Sequence, residues 1–458
     1  MPTVEAFGVE PIPAELRTVR WHDLFAINFT FFLNPVMYLL GALAVVDGRL
    51  PLWWAVAAMA AGQALAYALL VVVAQPGVDY GLPGQVAMRA SLGFWGARLL
   101  SSPYRLVAAT YWFAAQALTG ALGFQAIVTG LTGHHLPLVP VALCLAAFHA
   151  TLAVLGFDVT RWLLRIVLPL SLLFTGVILG LYAASDDPHY TVSRVFDSPG
   201  EHFTWAGFAK YVTVMCGASL TLVTSVADFC RYTHTRRDMR LGYAASAIGA
   251  AVVTTFVGGY AAAATGATNP FIAVVDLTSS KALLVLLLAA IAVQGIAANI
   301  TNVYTAGLSL VNTLPRLGRL RATIAAGAAA FALSAFPDFV DHAQRWITHL
   351  GNVAAPLTGV VLADYLVLKR QQIDVPALFD PAGRYRYLNG VNVTALVSIA
   401  SGVVVYYSVP QDWLKIAWGV AVAATAYLAL ALLHTAVAPG ARGYAGTIAS
   451  SQRSSSHS

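Results

Sequence analysis

The sequence predicts an all-α integral membrane protein with twelve transmembrane helices. Hydrophobic residues make up 59% of its 458 residues and charged residues only 10%, whereas a soluble domain carries roughly 25% charged residues. Apolar segments that approach the roughly 20 helical residues needed to cross a bilayer recur along the chain. We expect spans at residues 25–46, 51–74, 101–129, 137–156, 162–184, 205–227, 241–264, 282–311, 320–336, 346–367, 390–408 and 413–436.

The distribution of basic residues predicts how these spans are oriented. With both termini on one side, twenty of the 26 lysines and arginines fall on that side and six on the other. Because cytoplasmic loops carry an excess of Lys and Arg, we expect both termini in the cytoplasm and a multi-pass protein of the plasma (inner) membrane. The same placement accounts for the net charge of +6 without a nucleic-acid partner. Residues 1–20 and 437–458 are interpreted as cytoplasmic tails, the second of them disordered.

A proline lies near the middle of the first predicted span. Pro35 has no N–H, and its ring disfavours the helical conformation at the preceding Asn34, so the helix is expected to break there. Lipid cannot satisfy the backbone groups that such a break frees, and transporters use broken helices to build substrate and ion sites. From this segment alone, a packing kink with Asn34 bonded to a neighbouring helix is an equal alternative.

Charged residues avoid the predicted centres of the spans. Asp228 with Arg231, and Asp364, lie at cytoplasmic span ends, where they would set the orientation or hold an inner gate closed. A cationic cargo would need a buried carboxylate and an anionic cargo a buried Arg or Lys. Neither is expected at the centre, so the predicted cargo is neutral. The chain has no phosphate-binding loop, His-Glu-x-x-His or Gly-x-Ser-x-Gly motif, and we expect neither an enzyme nor a cofactor.

Neutral polar side chains inside the spans are therefore the candidates for specificity. Trp112 and Gln116 are four residues apart in the third span, so they share one helix face. An indole can stack on a flat heterocycle while an amide donates and accepts hydrogen bonds. Asn299 and Asn302 are three residues apart in the eighth span, where interhelical hydrogen bonding is a serious alternative to substrate binding.

Two further features of the spans have both a structural and a functional interpretation. The small residues Ala218 and Ser219 at the centre of the sixth span allow either a second break or simple close packing. His149 and His349 lie inside the fourth and tenth spans, and we interpret them as hydrogen-bonded structural groups rather than as a proton relay.

Five motifs taken together resemble the purine–cytosine permease family of nucleobase:cation symporters, over about residues 20 to 430. Each motif alone is modest, and their order and spacing carry the resemblance. They are Arg89–Gly96 after the second span, Trp112–Gln116 in the third, Ala227–Tyr232 at the end of the sixth, Asn299–Arg316 in the eighth and Leu362–Arg370 in the tenth.

The resemblance implies a five-plus-five inverted repeat of the leucine-transporter type, with helices 1 and 6 broken and two extra helices at the C-terminal end. Residues 21–184 would form the first repeat, residues 205–367 the second, and residues 390–436 helices 11 and 12. The family also implies the substrate contacts, which are Asn34, Trp112, Gln116, Ala218, Ser219 and Asn302, or Asn299 if the register of the eighth helix shifts.

Sodium-coupled members of the family hold the ion between first-helix carbonyls and eighth-helix hydroxyls. Thr30 and Leu33 match the first-helix half, but the eighth-helix positions are Val293, Ile296 and Ala297, without hydroxyls. Because a hard cation takes several oxygen ligands, coupling to H⁺ is favoured over Na⁺.

The predicted function is import of a neutral nucleobase of the cytosine, purine or uracil type by a monomeric cation symporter in the bilayer. Allantoin, hydantoin and hydroxymethylpyrimidine are alternative cargoes. A carrier of the same fold for an amino acid is a nearer rival, but it would favour a glycine-rich first break rather than Asn34-Pro35. A non-transporting nutrient sensor on a carrier scaffold is the alternative from another class.

Overall fold

A computed structural model describes residues 8–154, 157–196 and 202–437. The described elements are helical, apart from two isolated β-bridges. The principal helices, numbered in chain order, are α1a (Trp21–Phe32), α1b (Pro35–Val46), α2 (Leu52–Val73), α3 (Ser102–Thr132), α4 (Leu138–Val154), α5 (Phe157–Ala183), α6a (Trp205–Leu220), α6b (Val226–Cys230), α7 (Arg236–Thr265), α8 (Lys281–Thr313), α9 (Gly318–Leu333), α10 (Ala343–Leu362), α11 (Val393–Ser408) and α12 (Lys415–Val437).

Every predicted span overlaps one of these helices or helix pairs. By length and composition, seven of the described helices can cross a membrane, or eight if α1a and α1b form one span bent by 62°. The helices α4 and α11 are apolar but shorter, with 17 and 16 residues. The count of twelve spans therefore stays a prediction.

Short helices in the connections are the main elements that hydrophobicity did not predict. Between α2 and α3 the chain forms helices at Gln75–Tyr80, Gly84–Ala87, Arg89–Leu92 and Phe94–Gly96. Between α7 and α8 lies Pro270–Leu277, where proline occupies the first turn and the Asn269 side chain accepts from the Phe271 N–H. The start at Pro270 follows from capping chemistry, which a search for long apolar runs does not detect.

The helices pack in two groups. The helices α1a, α1b and α2 pack against α7, and α6a packs against α2. The helix α3 packs against α8, and α4 and α9 pack against both of them. The helix α10 lies against α6a and α12.

Two glycines lie where α6a and α10 approach each other closely. A Cβ atom added to Gly351 in α10 would lie 3.0 Å from the Cα of Gly217 in α6a. Because this is closer than side-chain carbons normally approach, a side chain at Gly351 would push the two backbones slightly apart, whereas a Cβ at Gly217 would lie 3.4 Å from the Cα of Gly351.

The predicted tails are only partly described, since residues 1–7 and 438–458 lie outside the described residues. Within the described part of the N-terminal tail, Ile12 is completely buried. Arg17 donates to the Ile12 carbonyl at 2.9 Å and to the Asp79 carbonyl at 2.9 Å. Ile12 and Arg17 thus hold this segment against the connection that follows α2.

Candidate functional site

The first helix interruption lies between α1a and α1b and is built by Asn34. This residue is extended, with φ −143° and ψ 162°, and it caps α1b. Its Oδ1 accepts from the Met37 N–H at 3.1 Å, and its Nδ2 donates to the Phe31 carbonyl at 2.7 Å. Pro35 occupies the first helical position, where a missing N–H costs nothing. The amide of Asn34 therefore already has local partners for both of its polar atoms.

The second interruption lies between α6a and α6b, at residues 221–225, and contains no proline. Backbone bonds make a tight turn there, with Val226 N donating to Leu222 O at 2.7 Å. Gln85, from the connection after α2, donates to the Thr224 carbonyl at 3.2 Å and is itself buried. The remaining bonds of the Gln85 amide are to the hydroxyls of Ser101, Ser102 and Ser309.

A small cavity lies beside both interruptions. Five residues predicted as substrate contacts line it, from the first interruption and from α3, α6a and α8. They are Asn34, Trp112, Gln116, Ala218 and Asn302. The other lining residues are Phe31, Phe32, Met37, Thr221 and Leu222. The lining is mostly apolar with a few polar groups, as is usual for small-molecule sites.

The indole of Trp112 is held by the second interruption. Its Nε1–H donates to the Thr221 hydroxyl at 3.0 Å, and this hydroxyl donates to the Ala218 carbonyl at 2.6 Å. Trp112 is 7% exposed, so its ring forms a wall with a defined orientation. Sequence reasoning missed Thr221. The only available signal was a hydroxyl three residues after Ala218 in a span rich in small residues.

Two amides at the cavity have unused hydrogen-bonding capacity. The Gln116 side chain is buried, and its Oε1 has no partner within the described part of the chain. The Nδ2 of Asn302 makes no hydrogen bond to any described residue, whereas its Oδ1 accepts from Arg105 Nη2 at 3.2 Å. A buried polar atom without a partner costs about 1–3 kcal/mol, so Gln116 would gain from a bound polar molecule, and Asn302 Nδ2 is available to donate to one.

Arg105 lies behind the cavity and was not among the predicted site residues. It was assigned to the cytoplasmic end of the third span, but it is completely buried in α3 against α8. Its Nε donates to the Thr305 hydroxyl at 3.0 Å and its Nη2 to the same hydroxyl at 2.7 Å. Arg105 does not line the cavity itself and reaches it only through Asn302.

Two predicted substrate residues have partners away from the cavity. The Ser219 hydroxyl donates to Gln63 Oε1 in α2 at 2.6 Å. Asn299 Nδ2 donates to His149 Nδ1 at 2.9 Å, and His149 Nε2 lies 3.1 Å from the Ala292 carbonyl. Both nitrogens of His149 are thus used between α4 and α8, as its structural interpretation expects. His349 Nδ1 lies 3.0 Å from the hydroxyl of Tyr407 in α11.

The residues predicted for a cation site pack without converging oxygen side chains. The Thr30 hydroxyl donates to the Ala26 carbonyl at 2.7 Å, and Leu33 is completely buried. On α8, Ile296 belongs to an apolar cluster against which Val293 packs. The Ala297 carbonyl accepts from the Thr301 hydroxyl at 2.7 Å.

The predicted gate residues form hydrogen bonds and ion pairs with several other elements of the fold. Asp228 Oδ1 accepts from the Gly84 N–H at 2.7 Å. Arg231 is completely buried and donates to the Gly8 carbonyl and to the hydroxyl of Tyr304 in α8, each at 3.0 Å. Asp364, at the end of α10, accepts hydrogen bonds or forms ion pairs with the side chains of Ser91, Lys369 and Tyr427.

A largely apolar, all-helical chain in which two helices are interrupted beside a buried cavity has the architecture of a secondary membrane transporter. The fold is similar to that of Mhp1, a nucleobase-cation-symport-1 family transporter, in a closed conformation with bromovinylhydantoin bound. The TM-score is 0.78 at 19% identity, covering 95% of this chain and 97% of that one.

The family described as permeases for cytosine/purines, uracil, thiamine and allantoin matches residues 11–432, and the chain belongs to this family. The hydantoin permease of Microbacterium maritypicum is 24% identical over 86% of this chain and 82% of its own length. The allantoin permease of Bacillus subtilis is 22% identical over 93% and 92%. These matches confirm the resemblance carried by the motifs, and the protein is a multi-pass membrane protein of a transporter family.

Proposed function

We propose that the protein is a secondary active transporter that imports a neutral nucleobase of the cytosine, purine or uracil type. Transport would proceed by cation symport and alternating access about the cavity between the two helix interruptions. The Trp112 indole would stack on the heterocycle, while Gln116 and Asn302 form hydrogen bonds to its edge.

One observation carries this proposal: an oriented indole and two incompletely bonded amides meet at a single buried cavity. The stacking surface suits a flat ring, and unsatisfied amides suit a polar edge. No acidic residue lines the cavity in the part of the chain that the structure describes, which favours a neutral cargo. Asn34 would shape the site by holding the break, since its own amide is already bonded.

The proposed architecture is twelve spans in a five-plus-five inverted repeat, with both termini in the cytoplasm of a plasma-membrane protein. Helices 1, 2, 6 and 7 would move against helices 3, 4, 8 and 9. The packing of the helices in these same two groups supports this division. The excess of basic residues on the side that carries the termini supports the orientation.

The test of the substrate site is uptake of radiolabelled nucleobase by cells or proteoliposomes that carry Trp112→Ala or Gln116→Ala. We expect both variants to reach the membrane and to lose uptake, because one lacks the stacking wall and the other an amide. The matched control is Gln125→Ala, nine residues beyond Gln116 in α3, where the amide donates to the Leu136 carbonyl instead of facing the cavity. Normal transport by either site variant would contradict the proposal.

Coupling to protons rather than sodium is supported by Val293, Ile296 and Ala297, which place no hydroxyl on the α8 side of the expected ion site. We expect a proton gradient to drive uptake into proteoliposomes and a sodium gradient at clamped pH to drive none. Accumulation under the sodium gradient alone would refute proton coupling and leave the substrate site untouched.

A related heterocycle is the second candidate cargo, because the relatives include a hydantoin permease and an allantoin permease. A thermal-shift panel on the purified protein, with cytosine, uracil, adenine, hypoxanthine, allantoin, hydantoin and hydroxymethylpyrimidine, would rank the candidates. Counterflow of the labelled compound in vesicles would then separate a carrier from a non-transporting sensor, since only a carrier exchanges substrate across the membrane.

A further inference from the structure

We propose that Arg105 is a positioning residue that fixes which atom of Asn302 faces the cavity, and so selects heterocycles that present a hydrogen-bond acceptor there. The inference rests on the proposed function. It concerns a residue that lies behind the site instead of in it.

The chemistry of the contact fixes which way the Asn302 amide is turned. Arginine has five N–H donors and no acceptor, so the atom of Asn302 that faces Arg105 must be its oxygen. The observed bond joins Arg105 Nη2 and Asn302 Oδ1 at 3.2 Å. The Nδ2 of Asn302 is thereby directed away from Arg105, and it has no partner among the described residues. The cavity therefore meets an N–H donor at this position, and a bound molecule must supply a carbonyl oxygen or a ring nitrogen.

The arginine side chain is itself held in one orientation. Arg105 is completely buried, and its Nε and Nη2 both donate to the Thr305 hydroxyl, at 3.0 and 2.7 Å. Asn302 and Thr305 are three residues apart in α8, so they lie on one helix face. The planar guanidinium thus contacts two adjacent side chains of α8 from α3. This contact prevents the Asn302 amide from turning over without breaking a charge-assisted bond.

Burial of the charged Arg105 side chain has a cost in free energy. A charged side chain inside a membrane protein is expensive, and Arg105 keeps one buried nitrogen, Nη1, without a partner in the described part of the chain. Packing alone would be served better by an apolar residue. Orientation of Asn302 is a role that an apolar residue could not perform.

The experiment is a double-mutant cycle on substrate binding by the purified full-length protein. The variants are Arg105→Met, Asn302→Ala and the two together, and the probes are uracil, hydantoin and allantoin. We expect each single variant to weaken binding about tenfold, the effect of about 1.4 kcal/mol. The double variant is expected to bind no more weakly than Asn302→Ala, because Arg105 acts through Asn302. If Arg105→Met costs the same factor in both backgrounds, its role is structural and the inference is overturned.

Asn302→Asp tests the orientation if Arg105→Met does not fold. The carboxylate keeps the contact with Arg105 but presents an oxygen to the cavity in place of the N–H donor. We expect binding of the same carbonyl compounds to weaken about tenfold, as for loss of one buried hydrogen bond. Unchanged affinity would show that the Asn302 oxygen faces the substrate and would overturn the inference.

Two controls separate this inference from the function on which it rests. Arg98→Met makes the same substitution seven residues earlier, where the arginine stacks on Phe94 and Trp95 outside the cavity, and it is expected to leave affinity unchanged. Arg105→Lys retains a donor and is expected to recover part of the affinity. If the parent protein binds none of the probes, the proposed function fails. If the parent binds them and the cycle is additive, only the role of Arg105 fails.

Discussion

The two helix interruptions that meet at the cavity are built in opposite ways. The break between α1a and α1b is made by its own residues, because Asn34 caps the second half and Pro35 starts it. The break between α6a and α6b contains no proline, and a side chain 139 residues away, Gln85, donates to its Thr224 carbonyl. Similar breaks in the backbone can thus be encoded locally or by tertiary contacts, and the two kinds should respond differently to mutation.

The largest expected effect is the loss of stability when Gln85, which bonds to the second interruption, is replaced. Gln85→Leu removes all four hydrogen bonds of a buried amide and leaves the Thr224 carbonyl without that donor. We expect destabilisation of about 3 kcal/mol or more, the range for a broken buried network, measured as a lower melting temperature in detergent. Gln372→Leu, at an exposed site, is the control. Equal melting temperatures for the two variants would show that the second break does not depend on Gln85.

The next largest effect concerns the link between the second interruption and the cavity. Thr221→Val keeps the shape of the side chain but removes the acceptor for Trp112 Nε1. We expect substrate affinity to fall up to about tenfold, because an indole that is no longer held by this bond must be ordered on binding, at a cost of about 0.5–1.5 kcal/mol. Thr221→Ser retains the hydroxyl and should bind as the parent does. If the valine variant also binds normally, the orientation of the Trp112 ring does not depend on this bond.

The smallest effect is expected at the locally encoded break. Asn34→Ala removes the cap of α1b and should cost about 1 kcal/mol of stability, less than Gln85→Leu. Asn34→Ser supplies another capping oxygen and should lose less than the alanine variant. The measurement is again the melting temperature. A loss of substrate binding by Asn34→Ser at unchanged stability would instead assign the Asn34 amide a direct contact with substrate.

The contrast between the breaks also explains how far the sequence could predict the structure. The position of the first break follows from the covalent chemistry of Pro35, and it was predictable from one residue. Thr221–Ser225 contains β-branched and hydroxyl residues that do not by themselves end a helix. Small neighbours at Ala218 and Ser219 suggested a break or close packing, and choosing between them required the contact with Gln85.

The candidate site shows the same limit. Helical spacing placed Trp112 and Gln116 on one face, and both line the cavity. Spacing could not decide between Asn299 and Asn302, because each could turn toward any of several neighbours. Which asparagine faces the cavity depends on His149 and Arg105, which are distant in sequence. The burial of Arg105 could not be predicted from the sequence either, because it depends on the packing of α3 against α8.

The glycine contact between α6a and α10 has a consequence for motion. Where side chains of two helices interlock, one helix can move along the other only after the side chains separate, which raises a barrier. At Gly217 and Gly351 no side chains are present to interlock. Next to Ala218 at the cavity wall, a small displacement of α10 along α6a would therefore meet no interlocked side chains at this one contact.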